Sequence, residues 1–160
     1  MSNIARRLEE LGIDLPAPRA PIANFVGAVI EGGLMHVSGQ GPAKGGEIVY
    51  RGKVPTDHDL EAARDAARLT AINILAQANA ALNGDLDRVA RVVKLFGLVN
   101  CTPELDRSAL VIDAASQMMI DVFGPEIGSH ARVALSAPAL PMGITVEIDA
   151  IFRVHDMSAK

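Results

Sequence analysis

The stretch "PTDHDLEAARDAARLTAINILAQANAALNG", residues 55–84, limits most strongly what this chain can become. Leu60, Ala63, Ala67, Ala71, Ile74, Ala78 and Leu82 recur at the spacing of one helical face. Pro55 precedes a cap at Thr56 or Asp57, and Gly84 ends the pattern. At 1.5 Å per residue the predicted helix is about 38 Å long, enough to cross the face of a sheet.

The rest of the chain supplies that sheet. "DRVARVVKLFGLVN" is apolar and β-branched nearly throughout, as expected of a strand in a covered sheet. Pro103 and Asp106 open a second helix over "RSALVIDAASQMMIDVFG", with Leu110, Ala114, Met118 and Val122 in one row and Gly124-Pro125 as its stop. Its methionines read as core filler. "NFVGAVIEGGLMHVSGQ" reads as two strands around Glu31-Gly32-Gly33. A glycine-rich loop, "GQGPAKGGE", then leads to a short strand near Ile48 to Tyr50; it lacks the Gly-Lys-Ser/Thr ending of a phosphate-binding loop. "HARVALSAPALPMGITVEIDAIF" contributes the last two strands, joined by "SAPALPMG". The N-terminus offers a short helix over 1–12, with Ile4, Leu8 and Leu11 on one side, followed by a proline-punctuated extended arm over 13–24 and a core over 25–154. The expected order is αβββαβαββ: one α+β domain over 1–160, with a mixed sheet carrying two long helices on one face. A single helical layer leaves the other sheet face in need of a cover, most simply another copy of the chain.

Composition excludes several function classes. A formal charge of −4, no basic run and 3% aromatic residues give neither the electrostatic footprint nor the stacking platforms that nucleic acids require. Cys101 is the one cysteine, it has no basic neighbour in sequence, and no Cys/His spacing suggests a metal site. No apolar run reaches the roughly 18 residues of a membrane helix, and the charged start "MSNIARRLEELGI" does not read as a signal peptide. The expected location is cytoplasmic.

The last two strands carry unexpected charge: Arg132, Glu147 and Asp149. Paired as a hairpin about Leu140-Pro141, they would place Arg132 opposite Asp149 and diagonal to Glu147, all on one face. Two readings follow. One is a cross-strand ion pair on a solvated or subunit-facing surface. The other is an anion site, with a guanidinium holding a carboxylate while a nearby Glu handles a water or a proton. His130 reads as a solvated or interface residue rather than a base.

"HARVALSAPALPMGITVEIDAIF" resembles the C-terminal signature of the Rid family, the reactive intermediate deaminases also called YjgF-like or L-PSP endoribonuclease-like. "LMHVSGQGP" is similar to the family's Ser-Gly-Gln strand end, and "LGIDLPAPRAPIANFVGAV" with "LVNCTPEL" to its longer branch with an N-terminal helix. The resemblance implies a chorismate-mutase-like fold, a homotrimer whose sheets form a central barrel, and ligand clefts between subunits. It implies that Arg132 grips the carboxylate of a 2-imino or 2-enamino acid and that Glu147 positions the water that releases ammonia and a 2-keto acid, with neither a metal nor an organic cofactor required. Ser38, Phe25 and Asp113 are the further candidates for substrate binding. The chain departs from the family at Phe25, where a Tyr is common, at Ala134, where a Cys often stands, and at Asp113, where Asn is frequent. Those departures keep open a second class, a non-catalytic protein that binds or senses a small carboxylate. Endoribonuclease activity is a third reading, which the acidic charge and scarce aromatics oppose.

Overall fold

The computed structural model describes residues 2–155; residues 1 and 156–160 of the expected domain lie outside the described residues. In chain order the elements are α1 (Asn3–Glu10), β1 (Ala28–Glu31), β2 (Leu34–Gln40), β3 (Ala43–Lys44), β4 (Glu47–Ile48), α2 (Leu60–Ala81), β5 (Val89–Asn100), α3 (Ser108–Gly128), β6 (Ala131–Ala137) and β7 (Val146–Val154). The fold is α+β, a mixed sheet carrying helices. Five strands form the main sheet in the order β1-β2-β7-β5-β6. The β5–β6 pair is parallel, joined across by α3, and the other pairs are antiparallel. The glycine-rich loop folds into a separate two-residue ribbon, β3 with β4, one strand more than its sequence suggests.

The long helix begins later than expected. Asp59, not Thr56 or Asp57, caps α2, its carboxylate accepting from the Ala62 amide at 2.8 Å. Asp57 is engaged instead by the Lys53 amide at 2.7 Å. The 22 residues of α2 span about 33 Å. Ala63, Ala66, Ala67, Ala71 and Ala78 are fully buried, and these small side chains let α2 lie close against α3. In α3, Gly124 takes φ 79° as expected of a stop, yet a further turn follows Pro125, so the element runs kinked to Gly128. Leu110 departs from the predicted buried row and is exposed, whereas Val111, Ile112, Ala115 and Met119 are fully buried.

Both long helices cover one sheet face. The core there comprises Met35, Val37, Val92, Leu95, Val99, Val146, Ile148, Ala150 and Phe152, with Gly97 giving room to Ile112 of α3. Among the described residues no element covers the opposite face. It carries Val29 and Leu135, both about half exposed, together with Phe96, Leu98, His36, Lys94, Glu147 and Asp149.

The expected hairpin does not form. β5 lies between β6 and β7, pairing in parallel with one and antiparallel with the other. This central place pairs the β5 backbone on both edges, and its helix-facing Val92, Leu95 and Val99 are fully buried.

Candidate functional site

Strand registers decide which charges share a face. Arg132 stands beside Leu95, which is fully buried against the helices, so Arg132 points to the helical side of the sheet. Glu147 stands beside Leu98 and Asp149 beside Phe96, and both residues lie on the open side. Arg132 and Glu147 are therefore on opposite faces with a strand between them. The same-face arrangement expected from a hairpin is corrected: one chain does not bring the two together.

Each instead belongs to its own cluster. The Arg132 Nη1 donates to Asp113 Oδ1 at 3.2 Å and to Ser116 Oγ at 3.1 Å, both from α3. Arg132 is about three-quarters covered, and Asp113 is more than half exposed. His130, one residue before β6, places Nδ1 2.6 Å from the Gly128 carbonyl oxygen and Nε2 3.1 Å from Ser116 Oγ. An Nδ1–H donating to Gly128 leaves the Nε2 lone pair to accept from the Ser116 hydroxyl, which in turn accepts from Arg132. Burial lowers the His130 pKa, and Arg132 adds to that, against the raising effect of the Gly128 bond. His130 is thus a half-buried member of the Arg132 cluster, bonded at both ring nitrogens.

Glu147 borders a cavity of about 340 Å³, set where β2 leaves its register with β7 between Val37 and Gln40. The arm supplies one wall, including Arg19, Ile22 and Phe25; Gln77 of α2 and Ile144, just before β7, supply others. Gly39 lets the Glu147 carboxylate lie against the β2 backbone, since a Cβ there would sit 2.5 Å from Oε1. Gly27 does the same for Gln77, whose Oε1 would be 2.2 Å from an added Cβ. Lost solvation and then the neighbouring Asp149 raise the Glu147 pKa. Burial also raises the Asp149 pKa, against Lys94 and His36. A carboxylate with raised proton affinity at the edge of a cavity is a candidate proton acceptor.

Phe25 lines this cavity, half exposed. Ser38 Oγ donates to the Val26 carbonyl oxygen at 2.7 Å and ties β2 to the end of the arm. Asp113 stands away from the cavity wall, at Arg132. Cys101 is buried. Among the described residues no group of three or more His, Cys, Asp or Glu is placed to hold a metal ion, and no helix is long and apolar enough to cross a membrane. Ser116, Arg19 and Gln77 escape a reading by motif. Ser116 sits mid-helix in an unremarkable polar position, and Arg19 reaches the cavity only because the arm folds back over α2, where its carbonyl oxygen accepts from Gln77 Nε2 at 2.9 Å.

Comparison with known proteins agrees with this architecture. The model of the family described as "YjgF/chorismate mutase-like, putative endoribonuclease" matches residues 5–152. Protein TCP17 of Trypanosoma cruzi is 40% identical over 154 residues, 96% of each chain. The crystal structure of Atu1372, a protein of unknown function from Agrobacterium tumefaciens, is 46% identical with a TM-score of 0.88, covering 95% of this chain and 92% of that one. The Escherichia coli TdcF structure with bound serine is 22% identical with a TM-score of 0.61, covering 88% and 94%, and shares the fold. With a family match running through nearly every described element, the chain belongs to the YjgF/chorismate mutase-like family.

Proposed function

We propose that the protein hydrolyses 2-imino or 2-enamino acids to 2-keto acids and ammonia, in clefts formed between the subunits of a homotrimer. The supporting observation is the division of the charged residues. Glu147 sits in a cavity on one side of the sheet, and Arg132 sits on the edge strand β6 on the other. A site that uses both needs two copies of the chain, and the uncovered sheet face, where Val29 and Leu135 are about half exposed, supplies a reason for the copies to associate.

In this reading Arg132 of one subunit holds the substrate carboxylate, and Glu147 of its neighbour holds the water. A 2-enamino acid first takes a proton from solvent at its β-carbon, and a neutral imine takes one at nitrogen, so both react as the iminium. Its carbon is already electrophilic, and orientation then contributes much of the acceleration. Glu147 takes a proton from the water as its oxygen bonds to the imine carbon, and the C=N π pair moves to nitrogen. Return of the proton to nitrogen converts it into a leaving ammonia. The oxygen lone pair then forms the carbonyl as the C–N bond breaks, and the hydroxyl proton passes to solvent. Neither metal nor organic cofactor is called for by these steps.

A second reading, a carboxylate-binding protein without turnover, draws support from the Arg132–Asp113 contact at 3.2 Å, which already engages the guanidinium. The fold holds serine in TdcF, a small amino acid. The ribonuclease suggested by the family description finds little support in a chain of charge −4 with 3% aromatics.

The test generates 2-iminobutyrate in situ and traps it with semicarbazide, comparing wild type with Arg132→Ala and Glu147→Gln. Faster imine loss in wild type alone supports deamination. Saturable binding of 2-ketobutyrate without faster imine loss moves the assignment to the binding protein. Cleavage of RNA that survives repurification and disappears in Arg132→Ala or Glu147→Gln overturns both.

A further inference from the structure

The cavity beside Glu147 is more than a place for a water. Its volume of about 340 Å³ equals roughly eleven waters at ~30 Å³ each, in the range of sites for sizeable organic ligands. Its walls include Ile22 and Phe25 from the arm, Ile48 from the ribbon, and Met142 and Ile144 from the turn before β7. The amide donors in the wall are engaged elsewhere, Gln77 Nε2 donating to the Arg19 carbonyl oxygen and Gln40 Nε2 to those of Ser38 and Gly39, and Arg19 and Glu147 are the charged residues of the lining. Gly41 keeps the interior open, because a Cβ there would stand 3.0 Å from Ile144 Cδ1 and 3.8 Å from Ile48 Cδ1. Ile22 and Phe25 are 73% and 50% exposed, so they present apolar side chains to a space that the described residues leave unfilled.

We infer that this cavity is the side-chain pocket of the site, and that the ligand is an acid with a branched or aromatic apolar side chain rather than a two- or three-carbon acid. The inference rests on the reading that Glu147 borders an acid-binding site; it adds which acids. A methyl-sized side chain leaves most of the cavity to water, whereas a branched or aromatic one removes its own apolar surface and that of Ile22, Phe25 and Ile144 from solvent. The arm then determines specificity as well as covering α2.

The experiment is calorimetric titration of the full chain with four 2-keto acids: pyruvate, 2-ketobutyrate, 4-methyl-2-ketopentanoate and phenylpyruvate. Each methylene buried strengthens binding by about fourfold, so the three carbons between pyruvate and 4-methyl-2-ketopentanoate should tighten it by roughly 50-fold. The double variant Ile22→Ala/Phe25→Ala, altered only at side chains at least half exposed, should fold normally and flatten that gradient to under about fivefold. A flat or inverted gradient in wild type overturns the inference, as does failure of all four acids to bind. A steep gradient without imine hydrolysis upholds the pocket and rejects the deaminase. Imine hydrolysis with equal affinity for all four upholds the deaminase and rejects the pocket.

Discussion

Asp113 stands where it can oppose the proposed function, and replacing it measures by how much. Its Oδ1 is 3.2 Å from Arg132 Nη1, so a ligand carboxylate reaching that guanidinium arrives within about 5 Å of a like charge. At that distance the repulsion is about 0.8 kcal/mol in water and about 3 kcal/mol at an effective dielectric constant of 20. Asp113 is more than half exposed, which places the interaction near the lower value. Asp113→Asn removes the charge and keeps the shape, while Ser116 still accepts from Arg132. The expected result is about 3- to 10-fold tighter binding of a 2-keto acid, measured by calorimetry at fixed protein concentration. The gain should fall to about twofold at 1 M salt, where the Debye length is roughly 3 Å. Stability should change by less than about 1 kcal/mol, as for other exposed ion pairs. Binding weakened threefold or more would refute the reasoning. It would mean that Asp113 is needed to orient Arg132, and that orientation outweighs repulsion.

Three further outcomes follow from close contacts and from proton affinity. Gly97→Ala places a Cβ 2.7–2.8 Å from three atoms of Ile112 and should destabilise by about 2 kcal/mol through overpacking; with Ile112→Ala the added methyl fills the vacated space, so denaturant midpoints of the double variant should not fall below those of Ile112→Ala alone, and simple additivity would count against the packing account. Gly39→Ala drives a Cβ to 2.5 Å from Glu147 Oε1, the free end of a flexible side chain, so imine hydrolysis should fall at least tenfold while the melting temperature moves by no more than about 2 °C; full activity would separate Glu147 from the chemistry. The Glu147 pKa is raised in the folded protein, so its contribution to stability is complete below the unfolded value near 4.5 and is lost as pH rises through the folded value. Glu147→Gln should therefore raise the melting temperature at pH 8 relative to wild type more than at pH 4, and a pH-independent difference would contradict the burial of that carboxylate.

The helices were legible because their signal is local. A row of small apolar residues every three or four positions describes α2 whatever it packs against, and the caps err by only a turn: Asp57 and Asp59 are chemically equal candidates, and tertiary contacts choose Asp59. The five strands of the main sheet were legible in content, but not in order, and the glycine-rich loop adds a strand that its sequence does not show. Adjacent strands in sequence often pair, and the charges of β6 and β7 made a plausible ladder. That plausibility was misplaced, because α3 carries the chain across to a parallel place on the outer edge of β5 and β7 then returns to its inner edge.

By itself, then, the sequence determined the periodicities, the turns and the chemical types at the site: one guanidinium, two carboxylates, an apolar arm and a glycine after Ser38. Only the tertiary structure decided that Arg132 and Glu147 face opposite ways, that Ser116 and His130 gather around the guanidinium, and that Arg19 and Phe25 return to wall the cavity at Glu147. The physical reason is range. Helix and strand preferences arise within a few residues, whereas strand order and cavity walls depend on which distant surfaces bury each other, and a side chain's spacing along the chain carries no record of its neighbours across the sheet.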